Sequence, residues 1–486
     1  MIYLVSQQQE LFGWEGFKTL SVEESLQMMQ SWNLIQLDTE TTGRDAHLCD
    51  FLCVQFGNDK ADARIVVDTT TIDIKKYKDI LESKLCIGHN LKFDLQFFYN
   101  YNIIPRKVYD TMIVEQLLHL GWPAGQISYS LKEVAFRRLN INIDKTVRGE
   151  IIWRGLDASV INYAAGDVTY LEQIMQSQYK DLKKQELLKA AKIECDFVPV
   201  IAYLEWCGIH LDRKKWEAKM VNDEKLLRES KKALDEFVVN TPSLAAYTFV
   251  NRQGDLFTGF DLTPKCTINW SSSQQVVKVA KELGFDTQVK DKKTGEDKDS
   301  VLEKHLKSQK GICDKFLKLY FDYQEHFKVV TSFGQGHLNA INPKTNRIHT
   351  VYRQLGAASG RMSCGSQQPN TDLAKYNHIS PKDCTYPNIQ QLPSDEITRA
   401  CFTAPEGYLW SSCDYSALES RLGADIYNEQ SMLSEFLEGS GDMHSLCAYM
   451  VYKEEIPRDT PIKNIKKEYP HLRKAVKPIE LNSEDS

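Results

Sequence analysis

Short patterns of carboxylates in the N-terminal third of the chain could bind metal ions. Asp38 and Glu40 lie two residues apart in LIQLDTETTG, at the end of an apolar run that predicts a strand. Side chains two apart on a strand share a face, and two carboxylates on one face repel each other unless a divalent cation lies between them. Taken alone, this pair is better explained as two solvated turn residues.

Two further patterns add to this pair. Asn90 and Asp94 lie four apart in IGHNLKFDLQFF, which puts them on one face of a predicted helix. Asp94 also interrupts an apolar stretch, where a buried charge is costly unless it has a partner. Tyr163 and Asp167 lie four apart in INYAAGDVTYLEQI, at the start of another predicted amphipathic helix. The alternative for this last pair is an ordinary helix N-terminus, where the helix dipole favours aspartate.

These side chains together suit the hydrolysis of phosphodiesters by two metal ions. Four carboxylates on three predicted elements offer the hard oxygen ligands that Mg²⁺ prefers. One ion helps to generate hydroxide, and the other stabilises the leaving oxygen. The hydroxyl of Tyr163, one helical turn from Asp167, could orient the attacking water.

The elements that must position these residues predict a mixed α/β domain that ends near residue 185. Residues 33–68 have the pattern of strands separated by polar turns, with strands at 51–57 and 64–68. Helical periodicity follows in four runs, which are 77–84, 91–101, 111–120 and 131–139. Strands followed by helices are typical of mixed α/β architecture.

The order of these patterns, DxE, then NxxxD, then YxxxD, resembles the tyrosine-containing subtype of DEDD 3′–5′ exonucleases over about residues 30–185. The segments YDTMIVEQLL and YSLKEVAFRRLNINIDK are similar to the connecting segments of proofreading domains attached to polymerases. The resemblance implies an RNase H-like fold, two Mg²⁺ ions that Mn²⁺ could replace, and single-stranded 3′ ends of DNA as substrate. It implies that Tyr163 positions the water and that Asn90 contacts DNA. The implied metal ligands are Asp38, Glu40, Asp94 and Asp167.

Beyond residue 188 the pattern changes to long helices and then to loops. Helical periodicity covers 189–235, with one break at Gly208, and returns over 301–328. Residues 343–425 have a strand-and-loop pattern, and helices follow from about residue 431.

Two patterns near the C-terminus could bind nucleotides. Tyr408–Cys413 predicts a strand that carries Asp414 at its end, before a helix that holds Glu419. Taken alone, Asp414 is better explained as a helix N-cap. Arg473 and Lys477 lie four apart in RKAVK, and a guanidinium and an ammonium on one helix face suit a polyphosphate. The alternative for this pair is a solvated basic helix end.

The chain resembles family A DNA polymerases, the DNA polymerase I type, across about residues 193–480, because SGRMS, YPNIQQLP, SSCDYSALESRLGAD, GDMH and RKAVK occur in that order. The resemblance implies DNA-directed DNA synthesis in replication, with a primer–template and dNTPs as partners. It implies that Asp414 and the backbone of Tyr415 bind metal, and that Glu419 selects deoxynucleotides by crowding a ribose 2′-hydroxyl. The other implied contacts are with the incoming nucleotide, by His444, Arg473 and Lys477, and with DNA, by Arg361, Asn388 and Gln390.

The two resemblances predict the fold class and the domains. We expect an α/β, RNase H-like exonuclease domain followed by a helical thumb and an incomplete α+β palm and fingers. The predicted boundaries are 1–188 for the exonuclease, 189–335 for the thumb, 336–445 for the partial palm and 446–486 for the start of the fingers. Segment 364–385 separates SGRMS from YPNIQQLP, and we expect it to be a surface loop.

Composition limits the class of protein. No run of about 18 apolar residues predicts a membrane span, and no basic head followed by an apolar stretch predicts a secretory signal. The 12 cysteines include no CxxC pair, which argues against a structural zinc site and for a reduced, cytoplasmic protein in a bacterial or phage-infected cell. The net charge of −6 neither requires nor excludes a nucleic-acid partner.

The residues after RKAVK determine which activities we expect of this chain. After RKAVK the sequence reads PIELNSEDS, without the aromatic residues and the second palm carboxylate that the resemblance implies. We therefore expect exonuclease activity but no efficient polymerisation by this chain alone, as in a truncated, phage-like polymerase. A second polypeptide that completes the polymerase would associate through exposed apolar surface near residues 400–480. The alternatives are a stand-alone 3′–5′ exonuclease and a DNA-binding or assembly subunit of a split polymerase.

Overall fold

The computed structural model describes residues 1–8, 16–60, 62–122, 125–143, 151, 155–250, 263–291 and 295–483, with side chains described as far as Val476. The chain divides into two compact units, Met1–Pro405 and Glu406–Ser486. The boundaries predicted at residues 188, 335 and 445 stay predictions, because the division into two units is coarser. Within the described ranges, each helix is too short or too polar to cross a lipid bilayer.

In the described residues, a seven-stranded sheet forms the centre of the N-terminal part of the first unit. Its strands are β1 (Ile2–Val5), β2 (Phe17–Thr19), β3 (Leu34–Thr41), β4 (Phe51–Gly57), β5 (Arg64–Asp68), β6 (Leu85–Gly88) and β7 (Val108–Asp110). Their spatial order is β2-β1-β5-β4-β3-β6-β7, so β3 lies between antiparallel β4 and parallel β6. The strands predicted at 51–57 and 64–68 are confirmed as β4 and β5.

Helices pack on both faces of β3. The helices of this part of the chain are α1 (Val22–Gln30), α2 (Lys78–Ser83), α3 (Leu91–Tyr99), α4 (Thr111–Leu118), α5 (Leu131–Leu139), α6 (Ala158–Asp167) and α7 (Leu171–Lys184). Ile35 and Leu37 lie in one apolar cluster with Leu95 of α3, whereas Leu34 lies in another with Val134 of α5. Burial on both faces explains why β3 begins with consecutive buried residues, and the mixed α/β class is confirmed.

The next part of the first unit is mainly helical. Its elements are α8 (Leu188–Cys207), β8 (Ile209–His210), α9 (Arg213–Val239), β9 (Thr248–Phe249), β10 (Lys265–Cys266), α10 (Ser273–Glu282), β11 (Gln288–Lys290), β12 (Asp297–Asp299), α11 (Glu303–Lys307), α12 (Asp314–Ser332) and α13 (Gln335–Asn339). The predicted break at Gly208 is confirmed, since its φ of 62° favours glycine. The helical run predicted over 301–328 is divided between α11 and α12.

Short strands and helices complete the first unit. They are β13 (Ile341–Asn342), β14 (Arg347–Ile348), β15 (Tyr352–Arg353), β16 (Ser363–Cys364), β17 (Ser366–Pro369), α14 (Thr371–Tyr376), β18 (Thr385–Tyr386) and α15 (Glu396–Arg399). Segment 364–385 differs from the surface loop expected from the sequence, because β17 pairs with β18 and α14 lies between them in the chain. Leu373, Ala374 and Cys384 are buried, so this segment is a packed element.

The second unit is helical in its described residues. It contains α16 (Leu418–Ile426), α17 (Gln430–Leu437), α18 (Met443–Val451), α19 (Ile462–Glu468) and α20 (Pro470–Ser483). Ala448, Ile456 and Ile465 form its apolar centre. The strand predicted over 408–413 is wrong, since these residues are irregular and Leu409 is 97% exposed. A strand needs a hydrogen-bonded neighbour, and this segment pairs with none among the described residues.

Candidate active site

Three carboxylates from two elements meet at one edge of the sheet. Carboxylate oxygens of Asp38, Glu40 and Asp167 lie within 4.8 Å of one another. Asp38 and Glu40 project from the same face near the end of β3, and Asp167 is the last residue of α6. In the described part of the chain, no other group of three or more His, Cys, Asp or Glu side chains has metal-binding geometry. The structure therefore brings together three of the four predicted metal ligands.

Asp167 lies at the opposite end of its helix from the one predicted. Asp157 caps the start of α6 by accepting a hydrogen bond of 2.8 Å from the Val160 N–H, so Tyr163 and Asp167 lie in the C-terminal half. The prediction was wrong because α6 and α7 follow each other closely and their apolar periodicities merge. The dipole at a helix C-terminus disfavours a carboxylate, so the alternative explanation of Asp167 as a favourable N-terminal residue does not apply.

Asp94 lies beside this cluster but outside the 4.8 Å group. It is 3% exposed and sits in the first turn of α3, where its Oδ1 accepts a hydrogen bond of 2.6 Å from the Thr39 hydroxyl. Burial, followed by the neighbouring charge of Asp38, raises the pKa of the Asp94 carboxyl well above its usual value. A cation near both carboxylates would oppose this effect by favouring their charged forms.

Asp110 fixes the start of α3, and the sequence analysis missed it. Its Oδ2 accepts a hydrogen bond from the N–H of Leu91 at 2.7 Å. Its Oδ1 accepts from the N–H groups of Asn90 at 3.0 Å, Met112 at 2.9 Å and Ile113 at 3.2 Å. One buried carboxylate thus caps both α3 and α4. An aspartate directly before an apolar helix, as in YDTMIVEQLL, was the available signal.

Asn90 does not lie on the helix face that the sequence predicted for it. It is the N-cap residue of α3, with a left-handed φ of 67°, so it precedes the helix rather than forming part of it. The spacing of four residues therefore does not place it above Asp94 on one helix face. Its predicted contact with DNA stays a prediction.

Tyr163 and Gln55 complete the surroundings of the cluster. Burial, followed by the charges of Asp167, Glu40 and Asp38, raises the pKa of the Tyr163 phenol far above its usual value. The phenol therefore stays protonated and can donate a hydrogen bond at any physiological pH. Gln55 lies opposite Asp38 on β4, and its Nε2 donates a hydrogen bond of 2.6 Å to Asp38 Oδ2. A buried glutamine within the apolar strand FLCVQFG was the signal that sequence reasoning missed.

The predicted DNA-contacting residues of the polymerase region lie in the last part of the first unit. Asn388 begins a short 3-10 helix (Ile389–Gln391), and its Oδ1 accepts a hydrogen bond of 3.1 Å from the Gln390 N–H. Gln390 is exposed, and Arg361 lies beside the turn at Gly360. Their contacts with DNA stay predictions.

Asp414 and Tyr415 lie in the irregular segment before α16. Tyr415 is 78% exposed. The N-cap residue of α16 is Ala417, so Asp414 is neither at the end of a strand nor a helix cap. Glu419 lies in the first turn of α16, as the sequence predicted for a helix at this position. Metal and nucleotide binding by these residues stay predictions.

Arg473 is engaged by a carboxylate of its own unit. Its Nε donates to Asp442 Oδ2 at 3.0 Å and its terminal nitrogen donates to Asp442 Oδ1 at 2.9 Å. Asp442 also caps α18, in whose first turn His444 lies. Lys477 lies in α20, but its side chain is outside the described residues. In this arrangement the positive charge of Arg473 is already balanced, which differs from the solvated basic pair that the sequence suggested.

Two family models match consecutive parts of the chain. The 3′–5′ exonuclease family matches residues 18–183, and DNA polymerase family A matches residues 259–468. DNA polymerase I of Aquifex aeolicus is 27% identical to this chain, over 92% of the chain and 68% of the relative. DNA polymerase I of Chloroflexus aurantiacus is 25% identical, over 76% of the chain and 35% of the relative.

A solved structure shares the fold. It is the POL domain of Pol1 from M. smegmatis in complex with DNA primer-template and dNTP, with a TM-score of 0.68 and 18% identity, over 99% of this chain and 70% of that chain. The predicted family is therefore confirmed by both regions of the sequence and by the fold. Residues 259–468 belong to DNA polymerase family A, and residues 18–183 belong to the 3′–5′ exonuclease family.

Proposed function

We propose that the site at the end of β3 removes nucleotides from single-stranded 3′ ends of DNA with the help of two Mg²⁺ ions. The observation that carries this proposal is the meeting of Asp38, Glu40 and Asp167 within 4.8 Å, with Asp94 buried beside them. The match of the surrounding residues to a 3′–5′ exonuclease family supports it.

The donor set fits hard divalent cations. Every candidate ligand is a carboxylate oxygen, which Mg²⁺ and Mn²⁺ accept readily, whereas softer metals prefer thiolate or imidazole. Asp38, Glu40, Asp94 and Asp167 would hold the ions. When bound, such ions supply the positive charge that activates water and stabilises the leaving oxygen.

The chain's own residues have distinct parts in this proposal. The neutral phenol of Tyr163 orients the attacking water by a hydrogen bond, because its raised pKa keeps the proton in place. Gln55 and Thr39 hold the carboxylates of Asp38 and Asp94 through hydrogen bonds of 2.6 Å each. Both donors are neutral, so they orient the carboxylates without cancelling the charge that binds a cation.

A cleft in the first unit supports an anionic, unpaired strand as substrate. It has a volume of about 330 Å³, and Asn90, Arg44, Lys92 and Arg353 line it. Arg44, Lys92 and Arg353 are cationic, which favours a phosphate backbone, whereas Asp45 and Glu205 also line the cleft and Lys92 Nζ pairs with Glu205 at 2.7 Å. Asn90, which lines the cleft, directly precedes the helix that carries Asp94.

The test measures shortening of a 5′-labelled single strand and of a primer annealed to a longer template, in Mg²⁺. Asp38→Asn and Glu40→Gln should each lower the rate by about 100-fold or more, because each removes a metal ligand. Asp79→Asn, an exposed carboxylate on α2, is the matched control and should leave the rate unchanged. Unchanged degradation by both site variants would show that the site is wrongly assigned. A wild-type chain that binds the DNA without shortening it would favour the alternative of a DNA-binding subunit.

We also propose DNA-directed DNA synthesis in replication, on a primer–template with dNTPs, in the cytoplasm of a bacterial or phage-infected cell. The match of residues 259–468 to DNA polymerase family A supports this activity. Primer extension should be measured in Mg²⁺ with the Asp38→Asn protein, so that degradation does not mask synthesis. If extension occurs, Asp414→Asn should abolish it, and extension that survives this change would remove Asp414 from the catalytic role.

We propose in addition that a second polypeptide, carrying further polymerase residues, covers the apolar surface of the second unit. Large apolar side chains are exposed there, which are Tyr408, Leu409, Trp410, Ile426, Tyr427 and Leu437. Contiguous exposed apolar surface marks interaction sites. Adding a polypeptide with the palm and fingers sequence of a relative should yield a complex by light scattering and raise the rate of extension above that of the chain alone. Absence of a complex would favour the stand-alone exonuclease.

A further inference from the structure

Segment 364–385 packs directly on the exonuclease part of the first unit. Leu373, Ala374 and Cys384 of this segment form a small apolar cluster, and Leu48 packs against it. Leu48 belongs to the loop Thr42–Asp50, which joins β3 to β4. The small core of segment 364–385 therefore includes Leu48, which lies in the loop that follows β3, the strand that carries Asp38 and Glu40.

A polar contact fixes the same loop at a second point. Asp372, in the first turn of α14, accepts hydrogen bonds through Oδ2 from the N–H groups of Arg44 at 2.7 Å and Asp45 at 3.1 Å. A carboxylate that accepts two backbone N–H groups makes stronger hydrogen bonds than a neutral acceptor would. The approach is close, since a Cβ added to Gly43 would lie 2.9 Å from Asp372 Oδ1. The same Cβ would lie even closer to Cys49 Sγ, so a side chain at position 43 would require a shift of both neighbours.

The fixed loop leads straight into the carboxylate site. The register between β3 and β4 shifts between Glu40 and Thr41, which pair with Cys53 and Phe51, so the extra residue of this irregularity is Leu52 on β4, beside the Glu40 pair. Bulges re-aim side chains next to active sites. The Thr41 hydroxyl donates to the Gly43 carbonyl at 2.6 Å, so the backbone held by Asp372 is also bonded to the residue after Glu40.

We propose that Asp372 is a positioning residue for the exonuclease metal site, and that segment 364–385 holds the loop Thr42–Asp50 so that Glu40 points at the cation. This inference rests on the proposed exonuclease function. Its consequence is that a segment within the polymerase-family match controls metal affinity in the exonuclease part. Without Asp372, the loop gains freedom at Arg44 and Asp45, and Glu40 loses the backbone support that orients it.

The experiment compares Asp372→Ala, Asp372→Asn and Lys375→Ala in the full chain. Lys375 is exposed on the same helix and serves as the matched control. Calorimetric titration with Mn²⁺ reports metal binding without catalysis, and hydrogen exchange reports the N–H groups of Arg44 and Asp45. For Asp372→Ala we expect about tenfold weaker Mn²⁺ binding and faster exchange at both amides, since loss of a residue that orients a metal ligand has an effect of this size. The rate of nucleotide removal should recover at high Mg²⁺.

The two Asp372 variants distinguish a loss of positioning from a failure to fold, and the wild-type chain tests the proposed function. Asp372→Asn retains the shape and one accepting oxygen, so it should give a smaller effect in the same direction, and it decides the question if the alanine variant does not fold. Mn²⁺ binding equal to that of Lys375→Ala, in whichever Asp372 variant folds, would overturn the inference. A wild-type chain that binds no Mn²⁺ and degrades no DNA would instead overturn the proposed function and this inference with it.

Discussion

Replacing Asp110 with alanine should destabilise the part of the fold that carries Asp94. The substitution leaves four backbone N–H groups without their acceptor, and two of these groups belong to the buried residues Leu91 and Ile113. Loss of an N-cap costs about 1 kcal/mol, and each buried donor left without an acceptor costs about 1 kcal/mol or more, so we expect a loss of about 3 kcal/mol. Nucleotide removal should slow as well, because α3 loses its fixed start.

The asparagine variant of Asp110 tests which carboxylate oxygen accepts each of these hydrogen bonds. Three of the four hydrogen bonds end on Oδ1 and one ends on Oδ2, so Asp110→Asn can keep three and lose the bond from the Leu91 N–H. We expect this variant to lose about 1 to 2 kcal/mol of the free energy of unfolding. Less than half of that loss should come from the weakened N-cap of α3. Urea titration combined with hydrogen exchange of peptides from β6, α3 and α4 measures the local free energy of opening. Asp79→Ala is the exposed control, and an asparagine variant as unstable as the alanine variant would refute the assignment of acceptors.

Two further predictions concern other buried carboxylates. The raised pKa of Asp94 favours its protonated form in the folded, metal-free protein, so the free energy of unfolding should fall as the pH rises from about 4 through that pKa. In EDTA, Asp94→Asn should therefore raise the melting temperature at pH 8 more than at pH 5, while abolishing nucleotide removal; equal shifts at both pH values would contradict this. Glu115 is fully buried and accepts hydrogen bonds of 2.8 Å from both Arg137 and Arg138. Glu115→Gln should cost about 3 kcal/mol in urea unfolding, since it leaves the guanidinium of Arg137 without its counter-charge and that of Arg138 with Asp181 alone, and a cost below that of Asp79→Asn would argue against a structural ion pair.

The sequence predicted the site residues better than their surroundings. Asp38 and Glu40 share a face because alternation along a strand is a local property that two residues suffice to reveal. The groups that orient them are distant in the chain, since Gln55 comes from the neighbouring strand and Asp372 from a segment more than 300 residues later. Sequence spacing carries no information about such contacts, so these residues were found only in the folded chain.

The errors in the fold have a similar physical origin. Periodicity located the helix that contains Tyr163 and Asp167 but not its end, because α7 begins four residues after α6 stops and continues the apolar pattern. The apolar run over 408–413 has the composition of a strand, but strand formation depends on a partner, and side chains such as Leu409 remain exposed in the described second unit. The strands at 51–57 and 64–68 and the helix at 131–139, whose apolar patterns end at clear polar breaks, were predicted with their observed bounds.

The partners of each carboxylate separate structural from chemical roles in this chain. Asp442 and Glu115 lie against guanidinium groups, which cancel their charge and fix neighbouring helices. Asp38 and Asp94 accept hydrogen bonds from a neutral amide and a neutral hydroxyl, which orient the carboxylates and leave their negative charge in place. Burial opposes this charge on Asp94, so its raised pKa favours the protonated form while no metal is bound. A divalent cation beside Asp38 and Asp94 would favour the charged forms of both, so metal binding would release the proton of Asp94 and stabilise the fold.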